Sequence, residues 1–316
     1  MKKHYLVLSL ILTLSFPALA QKIVFSPQWI AQAQFAGYYV AQEKGFYKEA
    51  GLDVEIVHPS TSSSVFNKLK TGQSDIVTLQ LLDAMIIKDQ GLDIVNVMQF
   101  FQNSMLVIVA QPQYTSLEQL EGKKIGGWKS GFCQLAMCMS NDNNHKIEWV
   151  FFNSGISVFT SNAVDAILSM YYNEYFQLIN CGKRITKDNC FHLSDYEEYN
   201  IPEDGLFCLR DVYESRKSDL KLFAEASKKG WEYARNNPDE TLEIVYKIME
   251  KDNIPISKAQ QAWMLQKILD AMVDKETNAP SYQLKPEMFK RANDMLLRNG
   301  FIKHNIEYQD FVPSLN

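Results

Sequence analysis

The run from Lys22 to Val57 constrains the fold more than any other part of the chain, because strand and helix signals alternate within it. Ile23-Val24-Phe25 is a short apolar strand, followed by the irregular aromatic and amide stretch Pro27-Gln28-Trp29. The segment from Ala31 to Lys44 has helical character and stops at Gly45, where a helix end commonly takes a left-handed residue. Leu52, Val54 and Ile56 then alternate with Asp53 and Glu55, the period of a half-buried strand. Strand, crossover helix and strand begin a parallel α/β sheet, whose ligand sites lie outside the carboxyl ends of its strands. Trp29, Phe35, Tyr38 and Tyr39 fall at that end, so their rings are candidates to sandwich a flat ligand.

A weak internal repeat accompanies this run. Thr71-Gly72-Gln73-Ser74-Asp75 leads into the apolar run Ile76 to Leu79, and Ser161-Asn162-Ala163-Val164-Asp165 leads into Ala166 to Met170. Polar groups follow each run: Gln80 in the first copy, Tyr171 to Tyr175 in the second. Asp before a strand is also ordinary turn chemistry, but matching order and spacing point to two related α/β lobes. A chain of 316 residues exceeds the size at which single cores usually divide. The strand-like run Ser104 to Ala110 reads as a crossing into the second lobe, with Lys124–Trp128 and Glu148–Phe152 as strands there. Leu206 to Leu209 reads as the return. This assigns residues 21–103 and 209–316 to the first lobe and 104–208 to the second. From Ser218 onward the pattern is helical, with Leu220, Phe223, Ala226, Trp231 and Ala234 on one stripe that breaks at Asn237-Pro238. Ser257 and Gln260 form a capping pair for a helix whose Trp263, Ile268 and Met272 face inward. Pro286 opens the last helix and Gly300 closes it.

The first residues carry a secretory pattern. Lys2 and Lys3 precede an apolar stretch from Tyr5 to Phe16, and Ala18-Leu19-Ala20 supplies a small-x-small cleavage site. The stretch is shorter than the ~20 residues of a membrane span. Residues 1–20 therefore read as a signal peptide, and the expected location is the periplasm. Gln21 rather than Cys follows the cut, so no lipid anchor is expected. Loss of Lys2 and Lys3 makes the formal charge of −5 two units more negative, a balance poorly suited to nucleic acid. The five cysteines are an odd number for an oxidising compartment. Cys181 and Cys190 could close a small loop, whereas Cys133 and Cys138 point to different sides of a helix.

Tyr171-Tyr172-Asn173-Glu174-Tyr175 is the sharpest chemical constellation. An ionised Glu accepts from amino and ring N–H groups, Asn both donates and accepts, and the phenol rings supply stacking area. Together they can read the edge of an aminopyrimidine; a solvated helix start with Glu174 favouring the dipole is the alternative. The serine run from Ser60 to Ser64, including Ser62, precedes a helical segment, and Lys129-Ser130-Gly131 repeats the arrangement after Trp128. Such loops hold an anion or simply cap a helix. Trp128 is a candidate stacking partner.

Several stretches resemble, residue for residue, the motifs of a family of bacterial solute-binding proteins. These are the periplasmic components of ABC importers for thiamine pyrimidine precursors and related heterocycles. The matching residues are Trp29, Gln34-Phe35-Ala36-Gly37-Tyr38-Tyr39-Val40-Ala41, Lys44-Gly45-Phe46-Tyr47 and Ala50-Gly51-Leu52-Asp53-Val54, then Tyr172-Asn173-Glu174-Tyr175 and Pro202-Glu203-Asp204-Gly205. The resemblance implies an α/β, two-lobed type II periplasmic-binding-protein fold, its lobes interleaved about a hinge. It also implies a monomer that closes on a small flat heterocycle and delivers it to a membrane permease, meeting the membrane only through that partner. Trp29, Phe35, Tyr38, Tyr39, Ser62 and Gln80 would contribute from the first lobe, and Trp128, Ser130, Tyr172, Asn173, Glu174 and Tyr175 from the second. Two alternatives remain: a sensor whose closure signals to a membrane partner, and a pyrimidine synthase of the kind that consumes bound pyridoxal phosphate and histidine. Those synthases carry a His in the loop after the first strand and a cysteine-rich tract. Here the loop Pro27 to Gln34 lacks His, and the five histidines are isolated without zinc-like spacing. Neither a Gly-x-Ser-x-Gly elbow nor a Walker loop is present. The expectation is a binding protein with no catalytic residue, metal or cofactor.

Overall fold

The computed structural model describes residues 21–60, 64–129 and 132–314, and the proposed signal segment lies outside them. Two five-stranded sheets carry the architecture. In the first, strands β1 (Gln21–Ser26), β2 (Leu52–Ile56), β3 (Ile76–Gln80) and β4 (Ile94–Gln99) combine with a late strand, giving the order β2-β1-β3-β10-β4. The second sheet uses β5 (Leu106–Ala110), β6 (Lys124–Trp128), β7 (Glu148–Phe152), β8 (Ala166–Met170) and β9 (Cys190–His192) in the order β7-β6-β8-β5-β9. The late strand of the first sheet is β10 (Asp204–Leu209), antiparallel to β3 and β4. In the same way β5 is antiparallel to β8 and β9. Each sheet thus receives the strand that follows a crossing as its one antiparallel member. Residues 204–208, read from sequence as part of the second lobe, sit in the first sheet. The crossing is completed before β10 begins, because its backbone pairs with β3 from Asp204 onward.

The repeat read in the sequence has a hydrogen-bonding cause. Asp75 accepts the Val24 N–H through Oδ2 at 2.7 Å, and its own N–H donates to the Val24 carbonyl at 2.9 Å. Asp165 does the same with Lys124, at 3.0 and 2.8 Å. Each Asp therefore anchors the start of its lobe's third parallel strand beside the first. Asp75 additionally pairs with Arg216 at 2.8 Å, which fixes the start of the long helix Lys217–Asn236.

That helix buries Leu220, Phe223, Ala226, Trp231 and Ala234, the expected stripe, against the helix Ala36–Glu43. The two helices approach closely at Gly37 and Gly230. A Cβ on Gly230 would stand 2.0 Å from the Gly37 carbonyl oxygen, and one on Gly37 would stand 2.2 Å from the Trp231 ring. Tyr38 follows from this packing. It lies edge-on to Trp231 and Phe100 and 4.6 Å from Phe25, at 2% exposure. The Gly-Tyr pair inside the recognised motif serves helix packing there.

The remaining helices largely follow their sequence signals. Pro238 and Pro286 each occupy a first helical turn, Ser257 accepts the Gln260 N–H, and Gly300 lies just past its helix at φ +71°. A further short helix, Tyr308–Phe311, comes after it. Trp263 departs from the inward expectation. It is half-buried, and its indole N–H donates to the Tyr171 carbonyl at 2.9 Å, so the helix Lys258–Ala271 reaches the second lobe. Cys181 and Cys190 are not bonded to each other.

Gly230→Ala should force the two helices apart, since the atom it meets is backbone. Overpacking of this kind costs about 1–3 kcal/mol. Chemical denaturation should show a lower midpoint at unchanged slope; an unchanged midpoint would contradict so close a helix contact.

Candidate functional site

The carboxyl ends of β1, β6 and β8 face one another across a narrow cleft whose cavity volume is ≈ 30 Å³. The first lobe contributes Gln28, Trp29, Gln32 and Gln34 from the loop after β1. The second contributes Trp128 at the end of β6, Phe132, and Met170, Tyr172, Asn173 and Glu174 at and beyond the end of β8. Of the residues expected from sequence, Trp29, Trp128, Tyr172, Asn173 and Glu174 come together here. Ser62 and Ser130 lie outside the described residues.

Aromatic faces from both lobes converge. Phe132 stands edge-on to Trp29 at 6.4 Å and to Trp128 at 6.1 Å between ring centroids. Its backbone is left-handed at φ +68°, a conformation a bulky residue adopts only when its surroundings compel it. Tyr172 is buried against the edge of Phe101.

Trp29 is held from behind by His58, which in turn meets two residues expected from sequence in the ligand site. His58 Nδ1 lies 2.6 Å from the Trp29 carbonyl oxygen, and Nε2 lies 2.8 Å from the Tyr39 hydroxyl. Burial pulls the imidazole pKa down, favouring the neutral ring. A carbonyl only accepts, so Nδ1 carries the proton and Nε2 accepts from Tyr39. Phe35 packs on the same imidazole at 5.7 Å. Tyr39 and Phe35 therefore sit outside the cleft and support its wall. Tyr175 is also elsewhere, stacked on Trp263 at 6.2 Å. Gln80 borders a neighbouring small cavity with Glu203.

Glu174 opens the short helix Glu174–Ile179 and is only 7% exposed. Its oxygens accept the Met170 N–H and the Asn173 carboxamide N–H, both at 3.1 Å. Burial dominates these bonds and pushes its pKa up to about 7. In its ionised form the carboxyl only accepts, the form that meets N–H groups. Asn173 Oδ1 accepts from Gln260 at 2.7 Å, tying the cleft to the helix Lys258–Ala271.

Beneath the first-lobe wall lies Asp204, the first residue of β10 and fully enclosed. It accepts Gln28 Nε2 at 2.8 Å and Gln34 Nε2 at 2.6 Å, while Gln34 Oε1 accepts Gln32 Nε2 at 2.7 Å. Burial raises the Asp204 pKa to about 6 against the pull of those two amides. Next to it, Glu203 accepts from the Ser104 hydroxyl and the Met105 N–H at 2.8 and 2.9 Å, and burial lifts it to about 8. Among the described residues, no group of three or more His, Cys, Asp or Glu side chains is placed to hold a metal ion. The amide wall was not singled out by sequence, although Gln34 and Asp204 fall inside matched motifs and Gln28 adjoins Trp29. Phe132 carried no signal, since nothing in its neighbourhood forecasts a left-handed phenylalanine.

Two interleaved α/β lobes with a cleft between their strand ends define a periplasmic-binding-protein fold. The chain belongs to the NMT1/THI5-like family, whose model matches residues 32–241. It is 23% identical to the formylaminopyrimidine-binding protein of Halalkalibacterium halodurans over 99% of both chains. A shorter likeness, 27% identity over 33% of this chain and 32% of the other, links it to a 4-amino-5-hydroxymethyl-2-methylpyrimidine phosphate synthase of Saccharomyces cerevisiae. Among solved structures, the alkanesulfonate-binding protein SsuA from Xanthomonas axonopodis pv. citri, bound to MOPS, superposes with a TM-score of 0.68. That match covers 93% of this chain and 99% of the other at 10% identity, and so bears on the fold alone.

The three buried carboxyls of this site, together with Asp83, which burial also lifts to about 7, give a pH signature. Each has a folded-state pKa above its ordinary value, so between the two values the folded state holds more protons than the unfolded one. Stability is then greatest at the acidic end of that window and falls as pH rises through about 6 to 8. Calorimetric melting of the ligand-free protein should give a higher Tm near about pH 6 than near about pH 8.5, and Glu174→Gln should reduce the difference. A Tm that rises across this range would contradict the burial of these charges.

Proposed function

We propose that the protein is an extracytoplasmic substrate-binding protein that captures a small flat heterocycle bearing an amino group, of the thiamine-pyrimidine-precursor type, for uptake through an ABC transporter permease. The observation that carries this reading is the meeting, across one cleft, of indole and phenol rings with the Glu174–Asn173 edge. The rings supply apolar area and the carboxyl and carboxamide supply orientation. The formylaminopyrimidine-binding relative, alike over nearly its whole length, supports the same ligand class. Likeness to the yeast synthase over a third of the chain is weaker support for catalysis. A ligand held by both lobes shifts the population toward closure, which is the state a permease would have to distinguish. Trp29, Trp128, Tyr172, Asn173 and Glu174 are the binding residues in this proposal.

Titration calorimetry with 4-amino-5-hydroxymethyl-2-methylpyrimidine, and with the analogue lacking the amino group, tests it. Losing the charged partner of a desolvated hydrogen bond costs ~1.5–3 kcal/mol, about ten- to a hundred-fold in affinity. Glu174→Gln should weaken the amino compound by that factor and leave the already weak analogue little changed. Equal affinity of parent and variant for the amino compound would remove Glu174 from the site.

A further inference from the structure

We infer that Gln28 is a second recognition group of this cleft, its carbonyl oxygen turned to the ligand by Asp204, and that the pair selects a ring carrying N–H donors over carbonyl-bearing or anionic ligands. This deepens the function proposed above and rests on it. Gln28 lines the cleft at 7% exposure, with its backbone N–H donating to Thr78 Oγ1 at 2.8 Å and its side-chain Nε2 to Asp204 at 2.8 Å. Its side-chain oxygen is enclosed and has no hydrogen-bond partner. An enclosed carbonyl without a partner is a standing cost that an incoming N–H relieves.

The orientation of this amide follows from the chemistry of its neighbour. With its pKa raised only to about 6, Asp204 is ionised at neutral pH and can only accept, so both amides beside it present their N–H groups to it. The Gln32 amide is spent in turn on Gln34. The amide donors of Gln28, Gln32 and Gln34 are therefore drawn to neighbours, and the acceptor of Gln28 remains. Across the cleft, the Glu174 carboxyl is a second acceptor. No Lys, Arg or His is among the described lining residues, so an anion meets no cation there. Asp204 does not line the cleft; it acts as a positioning residue for Gln28.

The test compares the parent protein with Gln28→Met and Asp204→Asn at neutral pH. Three probes are titrated calorimetrically: 4-amino-5-hydroxymethyl-2-methylpyrimidine, its 4-oxo counterpart and ethanesulfonate. The parent should prefer the amino ring to both others. Gln28→Met keeps the length of the side chain but lacks the acceptor, and should bind the amino ring about tenfold more weakly with little change toward the oxo ring. Asn at position 204 offers both donor and acceptor, so the Gln28 amide is free to turn and the preference should shrink or invert. A residue that merely holds the fold together would weaken both rings in parallel, and such a parallel loss overturns the inference. Unchanged affinity of Gln28→Met for the amino ring overturns it too, showing that water satisfies the carbonyl. Ethanesulfonate binding as tightly as the amino ring would likewise overturn it. If the parent binds no amino ring, the proposed function fails and this inference with it; if only the Gln28→Met result fails, the function stands. Should Asp204→Asn lose its folded circular dichroism spectrum, Gln28→Met decides alone.

Discussion

Both crossings between the lobes are fastened to one buried dipeptide, Glu203-Asp204. The Asp204 carbonyl accepts the backbone N–H groups of Phe100 and Phe101 at 3.1 and 3.0 Å, where the chain leaves the first sheet. The Glu203 carbonyl accepts the Leu81 N–H at 3.0 Å, and Gln99 Nε2 reaches both carbonyls. The side chains continue the pattern: Glu203 holds Ser104 and Met105 at the start of the second lobe, and Asp204 holds the amides of the loop after β1. Burying two adjacent carboxyls is expensive, and removing a partner would leave the charge uncompensated. Their raised pKa values show that hydrogen bonding repays this only in part. The residues that pass the chain between lobes are thus also those that shape the cleft.

The matching topology of the two sheets explains where the cleft lies. In both, Asp at the turn before the third parallel strand sets that strand beside the first, at Val24 in one lobe and Lys124 in the other. The strand ends that follow carry the loops, so Gln28 and Trp29 after β1 confront Trp128 at the end of β6 and Tyr172 to Glu174 after β8. The cleft lies where polar backbone must leave the sheets, the place at which α/β sheets commonly bind ligands.

Much of this was legible in the chain because it rests on local signals. Alternation at Leu52 to Ile56, the left-handed Gly45, the prolines at helix starts and the two Asp turns each act within a few residues. Long-range packing was not legible. Nothing local tells Tyr38, which packs against Trp231, from Trp29, which faces the cleft; the difference is set by a helix almost two hundred residues away. The same holds for Tyr39, whose hydroxyl is taken by His58, and for Tyr175, claimed by Trp263. Periodicity also identified β10 as a strand but not its sheet, since sheet membership depends on partners distant in sequence.

Among the described residues, the direct bonds between the lobes fall into a set beside the cleft and a set of surface pairs away from it. Gln134 donates to Asp83 at 2.7 Å, Gln260 donates to Asn173 at 2.7 Å, and Trp263 donates to the Tyr171 carbonyl at 2.9 Å. Away from the cleft, Arg298 pairs with Asp142 at 2.6 Å and Glu198 at 2.7 Å, Arg291 pairs with Glu197 at 3.1 Å, and Asn299 donates to Asp142 at 3.0 Å, so the lobe contact rests on charged surface pairs as well as on these three bonds. The balance of such contacts matters for a protein whose two lobes flank a cleft. A closed state too stable by itself would admit no ligand, and one too costly would tax affinity by the fraction of molecules able to bind. Asn173 belongs both to the set beside the cleft and to the Glu174 carboxyl through its amide N–H. In the proposed binding mode, a ligand that engages Glu174 would act on a residue already committed to the lobe contact, so that recognition and closure would share one side chain.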